Sequence, residues 1–188
     1  GIYIGRRREL FEMSVCKSQE MNMTKLTEPI KKCVVYLDPR EFRSTWLGNK
    51  AVYRTRMAMK TGGELIVLAP AVNKFGEDKE NDRLIRKYGY AGRKRVLELV
   101  KTEEDLKNNL SVAAHLIHGS SDGEFSVTYC TKYLSKEEVE SVGFDYMPYE
   151  DAVKLYNPKE LKDGFNTVNG EEIYYISNPA LGLWKSEE

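Results

Sequence analysis

The sequence predicts an α/β domain on a mostly parallel, doubly wound sheet with helices on both faces. Short apolar, β-branched runs of the kind buried in parallel sheets recur at CVVYLD (33–38), ELIVLAP (64–70), FSVTYCT (125–131) and EIYYISNP (172–179). Helical segments separate them, and strands alternating with helices close into such a sheet. A length of 188 residues suits one domain of this class and is short for two.

Taken in order, residues 1–32 read as an N-terminal linker segment ahead of a domain over 33–188. LFEMSV (10–15) alternates weakly, as a strand would, and KLTEPIKK (25–32) suggests a short helix or turn around Pro29. The chain opens GIYIG, without methionine, which suggests a piece of a longer protein with Gly1 as a tag remnant. After the first strand a helix is expected from Thr45 to Lys60, stopped by Gly62 and Gly63. NDRLIRKYG (81–89) and RKRVLELVKT (93–102) are helical, and EEDLKNNLSVAAHLIH (103–118) reads as a third helix, with acids first and histidine last as the macrodipole prefers. SKEEVESVG (135–143) carries a serine N-cap, Glu138 three residues on and a closing glycine, the signature of a capping box and stop. PYEDAVKLY (148–156) is a short helix begun by proline.

Composition excludes several function classes. Lys+Arg and Asp+Glu both number 29, so no global charge attracts nucleic acid or an anionic membrane. No apolar run approaches the ~20 residues of a membrane span, and no secretory signal opens the chain. Cys16, Cys33 and Cys130 are few, odd in number and far apart, as in the reduced thiols of a cytoplasmic protein. The phosphate-binding patterns GxGxxG and GxxxxGK[ST] and the nucleophile pattern GxSxG are absent.

In doubly wound sheets ligands bind beyond the carboxyl ends of the strands. That rule puts 38–48, 70–80 and 131–135 on the binding edge and HGSSDG (118–123) on the opposite one. A helix over 46–60 would turn Leu47, Ala51, Val52, Thr55, Ala58 and Met59 to the sheet and Lys50, Arg54, Arg56 and Lys60 outward. Lys50 and Arg54 then lie near the helix N-terminus, where the dipole disfavours cations by roughly 0.3–1 kcal/mol. An incoming carboxylate or phosphate would offset that cost; a solvated basic face is the plainer explanation. His115 and His118, three residues apart, share a helix face as two metal ligands would, but no third ligand is recognisable and favourable C-terminal histidines explain them as well. With Ser120 in the small polar run after them, they are secondary candidates. FGEDKEND (75–82) could hold a cation but reads more simply as an acidic helix start, and KYGYAGRKR (87–95) as a turn before a basic helix rather than a nucleic-acid surface.

The stretch GNKAVYRTRMAMKTGGELIVLAPAVNKFGED, with DRLIRKYGY, AAHLIHGSSDGEFSVTYC and the final NPALGLW, resembles the C-terminal domain of the nickel-pincer-nucleotide lactate racemase family, nearest to an uncharacterised branch. The resemblance covers residues 33–184 and implies a Rossmann-like domain that covers the substrate. It also implies an N-terminal domain, absent here, that holds a nickel-pincer nucleotide and the catalytic histidines. The metal-bound pincer takes a hydride from a 2-hydroxy acid and returns it to either face. The family's substrate lysine, counted back from the double glycine, matches Lys50, and its preceding aromatic matches Trp46. The glutamine between them is here Leu47, which cannot hydrogen-bond a substrate.

Residue pattern and resemblance therefore converge on Lys50. The expected site comprises Lys50, Trp46, Asn49 as orienter of a hydroxyl or keto oxygen, and Arg54 as a second anion contact. The expected function is the substrate-covering half of a 2-hydroxy-acid racemase or epimerase, with no catalytic residue, metal or cofactor in this chain and no activity when isolated. The expected partners are a small carboxylate and the protein's own N-terminal domain, with neither nucleic acid nor membrane; a homo-oligomer is left open. The alternatives are a non-catalytic binding or oligomerisation module, and an independent enzyme using Lys50 with His118, which requires both groups in one cleft.

Overall fold

The computed structural model describes residues 1–187. Its elements are α1 (Arg8–Asn22), β1 (Met23–Leu26), β2 (Ile30–Tyr36), α2 (Thr45–Gly48), α3 (Lys50–Thr55), β3 (Met59–Ala69), α4 (Lys79–Tyr88), α5 (Arg93–Thr102), α6 (Glu104–Lys107), α7 (Leu110–His118), β4 (Phe125–Thr131), α8 (Lys136–Ser141), β5 (Asp145–Pro148), α9 (Tyr149–Leu155), β6 (Gly164–Val168), β7 (Glu171–Ile176) and β8 (Leu183–Ser186). Six strands form one sheet in the order β5-β4-β3-β2-β7-β6, parallel except for the antiparallel edge pair β6–β7. β1 and β8 pair in parallel as a separate ribbon.

The expected α/β class and its mostly parallel sheet are observed. Alternation along the strands explains the two layers. Cys33, Val35, Leu65, Val67 and Val127 enter the larger core, whereas Val34, Ile66, Leu68 and Cys130 enter the smaller core on the other face. The larger core collects apolar residues of α3, α4, α5, α7 and α8; Ala152 of α9 packs into the smaller one. The order explains this division. From β2 the chain steps outward through β3 and β4 to β5, then returns to β7 beside β2. Right-handed crossovers in opposite directions place their helices on opposite faces. The reversal between β2 and β7 is a topological switch point.

Several expectations are corrected. The stretch 10–15 lies in a helix, α1, which buries none of its residues. Residues 25–32 are not helical: they end β1, turn at Pro29 and enter β2. The single helix expected from Thr45 to Lys60 is two short pieces that meet at Asn49, and Met59 already starts β3. The double glycine is therefore inside a strand. Ile30 pairs with Met59 but Lys32 pairs with Glu64, so three extra β3 residues bulge out. Gly62 takes φ +78° there, and a Cβ on Gly63 would stand 2.8 Å from the carbonyl oxygens of Lys31 and Lys60. The segment 103–118 breaks into α6 and α7, where the Asn109 side chain accepts from the Val112 amide and restarts the helix. The capping box at Ser135 and Glu138 forms as expected. β1, β5, β6 and β8 were not anticipated.

Two loops at the carboxyl edge are zipped together, and this places the site. The amides of Asn73, Thr45 and Trp46 donate to the carbonyls of Arg43, Lys74 and Phe75 at 3.1, 3.1 and 2.8 Å. Asp82, in the first turn of α4, holds the turn below by accepting from the Phe75 and Gly76 amides at 2.7 and 3.1 Å and from Arg86 Nε at 2.7 Å. Burial pushes the Asp82 carboxyl up, but Arg86 and the two amides outweigh it and the net pKa is lowered. A depressed folded pKa contributes stability that is present above the unfolded value and lost as pH falls through the folded one. Stability of the wild-type chain should fall as pH drops below the ordinary aspartate range, and Asp82→Asn, measured by urea unfolding at each pH, should be less stable at neutral pH and flatter on acidification.

Candidate functional site

The N-terminus of α2 is fixed by the Ser44 side chain, which accepts from the Leu47 amide at 3.3 Å and donates to the Glu77 carboxylate in a short hydrogen bond. Thr45 and Asn49 turn inward and are buried; Trp46, Leu47 and Lys50 turn outward. Across from them runs α7, and between the two lies a depression of about 280 Å³ lined by Trp46, Leu47, Lys50, Tyr53, His115 and His118. The Trp46 and His115 rings stack with centroids 4.3 Å apart; Tyr53 and His118 meet edge to face at 6.1 Å.

Lys50 supplies the positive charge. Its Nζ stands 5.5 Å from the centroid of the Phe42 ring, and among the described residues it has no ion pair or hydrogen bond. Among the described residues no acidic side chain lines the depression. The attraction for an anion rests on the ammonium itself, because α2 and α3, of four and six residues, carry too little aligned dipole for the helix-terminus argument to hold.

Trp46, Lys50, His115 and His118 are thus brought together, whereas Arg54, Asn49 and Ser120 are not among the lining residues. The edge rule separates the end of α7 from Lys50, yet His118 shares its depression; the small polar run after it does lie elsewhere. Arg54 Nη1 donates to the Gly182 carbonyl at 3.2 Å. Ser120 lines a larger depression of about 720 Å³ with Arg56, Arg93 and Asp122. There Asp122 pairs with Arg56 at 3.0 Å and accepts from the Arg93 backbone amide at 2.5 Å, so its carboxylate is already engaged. Asn49 is fully buried and accepts from the Tyr129 hydroxyl at 2.6 Å, while its Nδ2 is the one buried side-chain polar atom without a partner among the described residues. Tyr129→Phe should leave both ends of that amide unpaired and cost about 1–3 kcal/mol, read as a lower urea midpoint.

Beneath the imidazole lies a buried polar chain that the sequence reading missed. Thr45 Oγ1 donates to the Phe75 carbonyl at 3.0 Å and lies 2.8 Å from the Tyr90 hydroxyl, which lies 2.9 Å from His115 Nε2. Burial first, and then the charge of His118, lower the His115 pKa to about 4; burial pushes the Tyr90 hydroxyl up. His115 is therefore neutral at physiological pH.

No family model and no curated protein matches the chain. Among solved structures, its fold is that of a protein from Thermotoga maritima, with a TM-score of 0.68 at 22% identity over 95% of this chain and 42% of that one. The lactate racemase apoprotein from Thermoanaerobacterium thermosaccharolyticum matches with a TM-score of 0.61 at 13% identity, over 96% of this chain and 41% of that one. The chain spans less than half the length of either protein, and at these identities the likeness is one of fold. It is an α/β domain whose fold resembles part of the lactate racemase structure. No helix among the described residues is long and apolar enough to cross a membrane.

Proposed function

We propose that this chain is the substrate-covering domain of a lactate racemase-like enzyme that racemises or epimerises a 2-hydroxy acid, with Lys50 receiving the carboxylate. The observation that carries the reading is the Lys50 ammonium, unpaired among the described residues, in a depression with two imidazoles and an indole and no described acid to compete for it. The sequence resemblance around Lys50 and the shared fold support the same direction. Trp46 stacks on His115 and forms an apolar wall; Leu47 offers a further apolar contact where the family has a polar one. Arg54 and Asn49 act on this reading from outside the depression, by tying the segment to Gly182 and Tyr129.

The resemblance implies a nickel-pincer nucleotide, which would supply hydride transfer when bound. Among the described residues no three His, Cys, Asp or Glu side chains gather as metal ligands, so this chain does not fit a nickel site and its roles stop at binding and orienting the acid. The nucleotide then belongs to an N-terminal partner domain, and the protein works in the cytoplasm. The test is isomer interconversion of a panel of 2-hydroxy acids by the full-length parent, made alongside the cofactor-producing enzymes. Interconversion that disappears in Lys50→Ala is expected. Bound nickel with no interconversion, or activity indifferent to Lys50, would overturn the assignment.

A second reading, a non-catalytic binding or oligomerisation module, is favoured by one feature: α1 buries nothing and leaves Phe11, Met13 and Met21 exposed. It expects a parent protein whose activity does not change when Lys50 is removed.

A further inference from the structure

The buried chain beneath His115 fixes where its proton sits. A threonine hydroxyl has one hydrogen, and Thr45 gives it to the Phe75 carbonyl, which has none to return. The contact between Thr45 and Tyr90 is then made with the tyrosine hydrogen. That hydrogen is not available to His115, so the contact between Tyr90 and His115 needs a proton on Nε2. The three hydrogen bonds coexist in the neutral ring only as the Nε2–H tautomer, which leaves a lone pair on Nδ1. Among the described residues Nδ1 has no partner, and it is not among the buried unpaired atoms, so it reaches solvent. His115 lines the depression that holds the Lys50 ammonium.

We propose that His115 presents Nδ1 as a hydrogen-bond acceptor for the hydroxyl of the acid held by Lys50, so that this depression selects 2-hydroxy acids over 2-oxo or unsubstituted acids. This rests on the reading of the Lys50 depression as a carboxylate site. An ammonium and a lone pair in one depression complement a molecule carrying a carboxylate next to an O–H donor. A keto oxygen would place a second lone pair against Nδ1, and an unsubstituted acid would leave the acceptor unmet.

The test uses the 188-residue chain. Long-range proton–nitrogen correlation spectra should show His115 protonated on Nε2 and bare on Nδ1, with His118 as the internal comparison. Lactate should move the Nδ1 resonance and bind about fivefold to tenfold more tightly than propanoate or pyruvate, the worth of one neutral hydrogen bond. Thr45→Val removes the acceptor of the Tyr90 hydrogen, which then turns to Nε2 and drives the ring to the Nδ1–H tautomer. Lactate should lose its advantage in that variant while propanoate binding is unchanged, an outcome that a purely structural role for Thr45 does not produce. Tyr90→Phe, which frees both tautomers, serves if Thr45→Val does not fold. A wild-type ring protonated on Nδ1 overturns the proposal. If all three acids perturb Lys50 alike and leave Nδ1 still, the role of His115 falls and the carboxylate site stands. If none perturbs Lys50, both fall.

Discussion

Gly76→Ala is expected to destabilise the domain by about 3 kcal/mol or more, a fall in Tm of roughly 6–12 °C for a chain of this size. A Cβ at this position would lie 2.2 Å from the Asp82 amide nitrogen and 2.5 Å from the Asn81 carbonyl carbon. Both are backbone atoms in the first turn of α4, so no side chain can swing away. The turn must move, and with it the amides of Phe75 and Gly76 that Asp82 holds and the Phe75 carbonyl that anchors both the Trp46 amide and the Thr45 hydroxyl. The damage should reach the site: Trp46 fluorescence and its response to ligands should change together with Tm. A variant with wild-type Tm would show that this turn has more freedom than its contacts allow.

Lys50→Ala in the parent enzyme is expected to do the opposite, leaving the fold intact and removing function. Lys50 is half-buried and has no ion pair or hydrogen bond among the described residues, so its truncation should change stability by no more than about 0.5 kcal/mol. On the proposed reading, loss of the charge opposite the carboxylate costs about 3–4 kcal/mol of transition-state binding, roughly a 10²- to 10³-fold drop in kcat/KM. Lys50→Arg should recover part of it, because the charge returns with a different donor geometry. Equal kcat/KM for wild type and Lys50→Ala, at equal stability, would remove Lys50 from the site.

The sheet strands were legible because burial on both faces writes an uninterrupted apolar run, and the four runs at 33–38, 64–70, 125–131 and 172–179 each mark a strand. The helix from Thr45 to Lys60 was over-extended because its outward residues keep a helical period, while the strand after it begins before the glycines and bulges through them, which no local pattern announces. β1, β5, β6 and β8 are at sheet edges or in the small ribbon, where short, half-polar runs lose the alternation that marks a strand. Lys50 and Trp46 could be picked out from their neighbours in sequence. Tyr90 and Thr45, 45 residues apart, could not be seen as partners of His115: their roles exist only once α2 and α7 face each other. The sequence places Tyr90 within a turn, and its only local hint is an aromatic flanked by Gly89 and Gly92.

The ribbon of β1 and β8 has a mechanical meaning. The two strands run the same way, with Met23 beside Leu183 and Leu26 beside Ser186. A pull on the chain ahead of Met23 against a pull beyond Ser186 therefore draws the strands lengthwise past one another. The inter-strand hydrogen bonds then bear the load together instead of opening one at a time, and the Ser186 amide bound to the Met57 carbonyl at 3.1 Å ties that load to the segment between α3 and β3. Tension between a neighbour on one side of this domain and anything on the other would be felt first next to the helix that carries Lys50.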